Sequence, residues 1–314
     1  MLLPNKTVSA SLAAACLFAL SLGAQDRPIF RVDTSLVPLQ VSVMDARGKL
    51  LTDLPQGAFK VFEDGVEQEI KLFRREDVPV SLGIVIDNSG SMRDKRQKVE
   101  SASLQLVKAS NKSDQVFIVN FSDEAFLDVP FTNDVKKLEE GVARIDSRGG
   151  TAMRDAISMS IDYLKEEGKL DKKVILVVTD GKDNTSSLSL EQLVQKAQQS
   201  EVLIYTIGLL NEEVPREAKQ ARRALNALTT ASGGLAYYPK ELLEVEQIAL
   251  QVAHEVRNQY TIAYTPTNAA LDGTFRHVRV TVKGPNRPIA RTRTGYYATP
   301  DTPKMSFAES PSTQ

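Results

Sequence analysis

The chain of 314 residues has a single cysteine, Cys16, and only two histidines, His254 and His277. Cys16 lies in an apolar amino-terminal stretch, and cleavage near Ala24 leaves a cysteine-free protein. Thiol catalysis and thiolate metal sites are thereby removed. An exported protein without disulfides takes its stability from its core, which a domain of this size can supply. The histidines are far apart in sequence and are expected to be structural. No Gly-x-x-x-x-Gly-Lys-Ser/Thr phosphate loop occurs, and no Gly-x-Gly-x-x-Gly follows the first buried strand. No Gly-x-Ser-x-Gly elbow occurs either, since Asn88-Ser-Gly-Ser-Met92 lacks its first glycine. The formal net charge is -1, so no bulk attraction favours nucleic acid or an anionic membrane.

What is present begins with Lys6 and an uncharged run from Val8 to Leu22. This reads as a secretory signal peptide over 1–24, with Leu22-Gly-Ala24 as the cleavage site. Its core, Leu12 to Leu20, is short for a membrane span, although a retained anchor is the alternative. A lipid-attachment reading of Cys16 is opposed by the apolar run that continues after it. The expected location is outside the cytoplasm: periplasm, cell surface or medium, with no membrane span after cleavage. The sequence sets no oligomeric state.

Residues 28–78 read as β structure. Val37, Leu39, Val41 and Val43 alternate with Pro38, Gln40 and Ser42, the period of a half-buried strand. Phe59 to Glu63 and Val66 to Phe73 flank Asp64-Gly65, a tight hairpin turn. Further strands are expected at the other end: Tyr260–Tyr264, His277–Lys283 and Ala290–Tyr297. Residues 28–78 and 259–298 are therefore expected to build one β-sandwich, the alternative being two small β modules. Arg276, Arg279, Lys283, Arg287, Arg291 and Arg293 are expected on a solvated sheet face.

Residues 80–257 alternate strand and helix, the pattern of a doubly wound, mostly parallel α/β sheet. Strands are expected at Leu82–Ile86, Val116–Phe121, Val174–Thr179, Val202–Ile207 and Leu235–Tyr238. Helices are expected near Lys95–Ala109, Val135–Ile145, Met153–Glu167, Leu190–Gln199, Ala218–Ala231 and Leu242–Arg257. The tail at 299–314 is rich in Pro, Ser and Thr and is expected to be disordered.

The stretch Ser81 to Met92 ends a buried strand in Asp87-Asn-Ser-Gly-Ser91. Alone, it fits two readings: a polar turn that caps a helix, or a compact set of oxygen ligands for a hard cation at a strand's carboxyl end. Two later loops bear on the choice, Arg148-Gly-Gly-Thr-Ala-Met-Arg-Asp155 and Val174-Ile-Leu-Val-Val-Thr-Asp-Gly181. Together the three resemble the von Willebrand factor A-type domain and its metal-ion-dependent adhesion site, Asp-x-Ser-x-Ser followed by Thr and then Asp. Asp87, Ser89, Ser91, Thr151 and Asp180 match those positions.

The resemblance implies that these five residues hold Mg²⁺ or Mn²⁺, with Ca²⁺ also compatible. It further implies a partner protein that presents an Asp or Glu carboxylate to the ion. The Phe30-Arg-Val-Asp33 and Thr294-Gly-Tyr-Tyr297 stretches look like those of exported bacterial proteins of this kind, a less specific match. Asp183 is expected to form a turn or cap rather than to support the ion. Asp155 and Arg154 are expected to serve a helix start, and Gly149 and Gly150 to let backbone approach the ion. The expected function is metal-dependent protein binding, not catalysis. The competing readings are a scaffold with a purely stabilising metal and a metal-dependent hydrolase, which would need a base over a metal-bound water.

Overall fold

The computed structural model describes residues 36–300 except 76, 110–112, 144–147, 212 and 285. The expected signal peptide, the Phe30-Arg-Val-Asp33 stretch and all but two residues of the expected tail lie outside the described residues.

The alternating segment forms β1 (Val37–Met44), with Val37, Leu39, Val41 and Val43 buried. β2 (Phe59–Glu63) and β3 (Val66–Gln68) form the expected hairpin. Its turn residues Asp64 and Gly65 both have positive φ, 47° and 84°, which matches the twist of a two-residue connection. The second arm does not run on to Phe73 as one strand. It breaks after Gln68, and β4 (Ile70–Arg74) joins a different sheet. Gln68 fixes the corner, donating to Thr267 Oγ1 at 3.1 Å and accepting from Thr267 N at 3.0 Å.

The central unit then follows as β5 (Val80–Asp87), α1 (Arg96–Ala109), β6 (Gln115–Phe121), β7 (Ala125–Thr132), α2 (Val135–Ala143) and α3 (Met153–Glu167). It continues with β8 (Lys172–Thr179), α4 (Leu190–Gln199), β9 (Leu203–Gly208), α5 (Pro215–Ser232), β10 (Ala236–Tyr237) and α6 (Leu242–Arg257). Its six strands lie in the order β10-β9-β8-β5-β6-β7, parallel except for the edge strand β7. Alternation along β5 divides the core. Leu82, Ile84 and Ile86 pack with Val99 and Leu106 of α1, Leu138 of α2 and Val252 of α6. Val85 packs with Ile157 of α3, Leu193 of α4 and Leu225 of α5. Helices thus cover both faces, as a buried parallel sheet requires. Gly83 leaves room for a ring: a Cβ there would stand 2.4 Å from Phe117 Cζ.

Strand β7 is absent from the sequence expectation. Its Pro130 and the half-exposed Phe126 and Leu127 break the apolar alternation, and an edge position tolerates both features. Among the described residues no helix is long and apolar enough to cross a membrane.

The chain ends with β11 (Tyr260–Tyr264), β12 (Phe275–Val282), β13 (Ile289–Arg291) and β14 (Gly295–Tyr297). Two four-stranded sheets result, β13-β1-β11-β4 and β14-β12-β2-β3. Each combines strands from before and after the central unit, and the two face one another as a sandwich. Leu39, Val41, Tyr260 and Ile262 of the first sheet pack with Phe59, Val61, Val278 and Val280 of the second. The strand expected over Ala290–Tyr297 is two strands in different sheets. The chain crosses between them at Thr292-Arg-Thr294, where Thr294 N donates to Ala231 O at the end of α5.

The expected solvated basic face is corrected for three of its members. Arg276 and Arg293 are buried, because each guanidinium has a fixed partner. Arg276 donates to Asp272 and Ala270 O; Arg293 donates to Pro38 O at 3.0 Å and lies over the Tyr296 ring. Arg291 reaches inward to Glu255. Arg279 does fit the expectation, exposed and stacked over Phe62.

The sandwich meets the central sheet at the amino ends of its strands, around the carboxyl end of α6. Glu255 is buried there and accepts from Ser42 Oγ of β1 and Tyr205 OH of β9, both at 2.8 Å, and from Arg291 of β13. Its other oxygen accepts from Tyr237 OH at 3.3 Å. Lys172, at the start of β8, is also buried and donates to Val256 O at 2.7 Å. Burial pushes its amine down to about 8. Arg257 and buried Asp114 pair at 2.7 Å, and Asp114 accepts from Val80 N at 3.0 Å.

Candidate metal centre

At the opposite, carboxyl edge of the sheet, three loops converge. Open α/β sheets present their ligand sites at this edge. Asp87 ends β5, Ser89 and Ser91 follow it, Thr151 precedes α3, and Asp180 follows β8. Backbone bonds join the first two loops: Gly90 N donates to Gly149 O at 3.2 Å and Arg148 N to Asn88 O at 2.9 Å. Asn184 ties the second to the third. Its Oδ1 accepts from Thr151 N at 2.8 Å, and its own N–H donates to Thr151 O at 3.1 Å. Thr179 Oγ1 closes the set by donating to Asp87 Oδ2 at 2.6 Å. All five residues singled out by the sequence therefore meet in one place.

Asp87 is 1% exposed, and its Oδ1 accepts from Ser89 N at 2.9 Å. Burial pushes its carboxyl up to about 6, although the bonds from Ser89 and Thr179 favour the ionised form. Ser89 Oγ and Ser91 Oγ lie 3.2 Å apart and share a hydrogen bond. Ser89 and Thr151 are buried while Ser91 is exposed, so the cluster has a face toward solvent. Asp180 is 3% exposed; its Oδ1 accepts from Lys182 N at 3.1 Å. Asp180 Oδ2 is buried with no hydrogen bond among the described residues, and Lys95 Nζ stands 3.8 Å from it.

This arrangement fits a hard divalent cation. The donors are two carboxylates and three hydroxyls, all oxygen, as Mg²⁺, Mn²⁺ and Ca²⁺ select. A buried carboxylate oxygen without a hydrogen bond costs free energy unless a cation offsets it, and Asp180 Oδ2 is such an atom, faced by the Lys95 ammonium at 3.8 Å.

Neighbouring residues resolve into separate tasks. Asp183 caps rather than coordinates, accepting from Arg154 N and Arg154 Nη2, both at 2.8 Å, at the start of α3. Arg154 therefore serves the helix start as expected. Asp155 stands in the first turn of α3 as expected and also holds the loop before α4, accepting from Ser187 N at 2.8 Å and Leu188 N at 3.0 Å. Gly149 and Gly150 pack against the Asp123 carboxylate, which a Cβ on Gly149 would meet at 2.2 Å; φ at Gly149 is +78°. His254 sits near the end of α6 beside Asn258, and His277 pairs with Gly295 on β14.

Sequence reasoning missed Thr179, Asn184, Asp123 and Lys95. Thr179 alone carried a local signal, as a polar residue closing an apolar strand beside Asp180.

The family model described as von Willebrand factor type A domain matches residues 82–251, more than half of the chain. Inter-alpha-trypsin inhibitor heavy chain H4 of Homo sapiens is 25% identical over 232 residues, 68% of this chain and 24% of that protein. An uncharacterized protein of Borreliella burgdorferi is 32% identical over 109 residues, 33% of this chain and 31% of that one. The chain thus spans less than a third of the length of these curated relatives. Among solved structures, a von Willebrand factor type A protein from Catenulispora acidiphila aligns at 14% identity with a TM-score of 0.49, over 87% of this chain and 76% of that one.

Proposed function

The chain belongs to the von Willebrand factor type A domain family, and from that premise we propose that it is a metal-dependent protein-binding module acting outside the cytoplasm. Asp87, Ser89, Ser91, Thr151 and Asp180 would hold Mg²⁺ or Mn²⁺, with Ca²⁺ also compatible. The ion, when bound, would supply a Lewis-acidic centre for an Asp or Glu carboxylate of a partner protein. The observation that carries this reading is Asp180 Oδ2, buried without a hydrogen bond in a cluster made only of oxygen donors.

The chain's own residues hold this cluster ready. Thr179 and Ser89 N fix the Asp87 carboxylate, Lys182 N fixes that of Asp180, and Asn184 holds the backbone of Thr151. Preset ligands of this kind lower the ordering cost of binding. Two carboxylates against a divalent ion leave little net charge, so an incoming acid is not repelled. His254 and His277 lie elsewhere, which favours binding over hydrolysis. The uncharged run from Val8 to Leu22 supports export.

The test is capture from extracellular and envelope fractions with the protein as bait, in Mg²⁺, in EDTA, and with Asp180→Ala in Mg²⁺. A protein held only in the first condition supports the reading and identifies the partner. Equal capture in all three conditions would overturn it.

A further inference from the structure

A cavity of about 190 Å³ opens beside the metal cluster, lined by Lys95, Lys98, Leu209, Glu213, Tyr238 and Lys240 among others. We infer that this cavity is a second acid-binding subsite, which takes a carboxylate side chain of the same partner segment whose first acid meets the ion. The preferred partner is then a stretch with two acidic residues close in sequence. This rests on the metal-dependent reading above and adds to it the chemistry of the partner.

Three observations carry the inference. First, the cavity and the cluster share a wall. Lys95 Nζ donates to Leu209 O at 2.6 Å and also stands 3.8 Å from Asp180 Oδ2. A segment bound at the ion therefore has the cavity within a few residues' reach. Second, its charge suits an anion. Lys98 and Lys240 line it with one acid, Glu213, while Lys95 is held by Leu209 O and Asp180, and Glu244 outside the lining accepts from Lys240 N at 2.7 Å. Lys98 Nζ donates to Lys240 O at 3.1 Å, a bond that uses one of an ammonium's three donors.

Third, the walls are half apolar and held in place. Leu209, Leu210, Tyr238 and Pro239 contribute to the lining. The Tyr238 ring is fixed by the Arg222 guanidinium 3.9 Å from its centroid and by its hydroxyl, which donates to Asn226 Oδ1 at 2.8 Å. An apolar wall beside cations suits the methylenes and carboxylate of a Glu or Asp side chain better than a bare inorganic anion. It also favours a peptide whose neighbouring residue is apolar.

The experiment uses the full chain and fluorescent glycine-based peptides carrying two glutamates at graded spacings. Each is matched by a peptide in which the second glutamate is glutamine. Binding is measured in Mg²⁺ and in EDTA for the unmodified protein, for Lys98→Gln/Lys240→Gln and for Lys98→Arg/Lys240→Arg. Asp180→Ala is included as the control for the ion. At the best spacing the two-acid peptide should bind about tenfold more tightly than its partner in Mg²⁺. That advantage should vanish in the glutamine variant and return in the arginine variant, with one-acid binding unchanged throughout.

An advantage that survives Lys98→Gln/Lys240→Gln overturns the inference, as does its absence at every spacing. If that absence accompanies one-acid binding lost in Asp180→Ala, the metal-dependent reading stands and only the second subsite falls. Lysine-dependent binding that is equal in EDTA supports the subsite while removing the metal-dependent reading.

Discussion

The two edges of the central sheet each bury carboxylates, yet they differ in what those groups face. At the amino edge, Glu255 accepts from Ser42, Tyr205, Tyr237 and Arg291, and Lys172 and Asp114 also have fixed partners. Gln259 Oε1 and Glu201 Oε1, the latter just ahead of β9, are exceptions there, and Arg293 and Lys173 stand near Glu201. At the carboxyl edge, Asp180 Oδ2 and Asn88 Oδ1 are buried without hydrogen bonds among the described residues. A buried polar group that is fully paired rigidifies a structure. One with valence to spare costs stability until something fills it. The first edge carries the bonds that join the sheet to the sandwich, while the second gathers oxygen groups with lone pairs to spare in one cluster of loops.

The largest expected effect comes from breaking the joint. Glu255→Ala leaves Arg291 and three hydroxyls without their acceptor and should cost about 3–5 kcal/mol of unfolding free energy. Urea unfolding should show the same loss in Mg²⁺ and in EDTA. A metal-dependent loss would mean that the two edges are not separate in function.

The next effect tests the carboxyl edge. Asp180→Ala should change stability little in EDTA, because it removes an oxygen that is only partly paired. It should abolish the gain on adding Mg²⁺, which for an ion at a hundred times its Kd is about 2.7 kcal/mol. An equal Mg²⁺ gain in the variant would place the ion elsewhere.

The smallest effect returns to the amino edge. Lys172 has its amine pushed by burial from 10.5 to about 8. Between those values the unfolded chain binds the proton that the folded chain has lost, so stability rises with pH across that window. Below about 8 the full cost of burying the charge is present. Lys172→Met removes that cost and also the bond to Val256 O, a net gain of about 1–2 kcal/mol at pH 7. The gain should shrink as pH rises from 8 toward 10.5. A gain that grows with pH would contradict a buried, charged Lys172.

The same contrast explains what could be read from the sequence. The doubly wound order was legible because strand and helix periods are local patterns, and the five convergent residues because their order along the chain resembles a known family site. Asp87, Ser89, Ser91, Thr151 and Asp180 each stand at a strand end or helix start that the pattern marks. The joint was not legible. Arg291 and Arg293 look like one face of exposed strands, and their partners Glu255 and Pro38 are settled only by the fold. The breaks after Gln68 and at Thr292–Thr294 were hidden likewise, since each half on its own is good strand sequence. Asn184 acts at the site through a backbone contact that no spacing rule encodes.

The chain enters the central unit from β4 and leaves it into β11, and these are hydrogen-bonded neighbours, with Arg74 opposite Thr261. The unit thus stands on a two-strand stem at one edge of its sheet. A partner held at the far edge would pull from about 25 Å away, the length of an eight-residue strand. Such tension draws both stem strands lengthwise in the same direction. β11 also pairs with β1 over Val37 to Val41, and these bonds lie across the line of pull. They bear the load together instead of opening one after another, so the stem resists as a shear joint and not as a zipper.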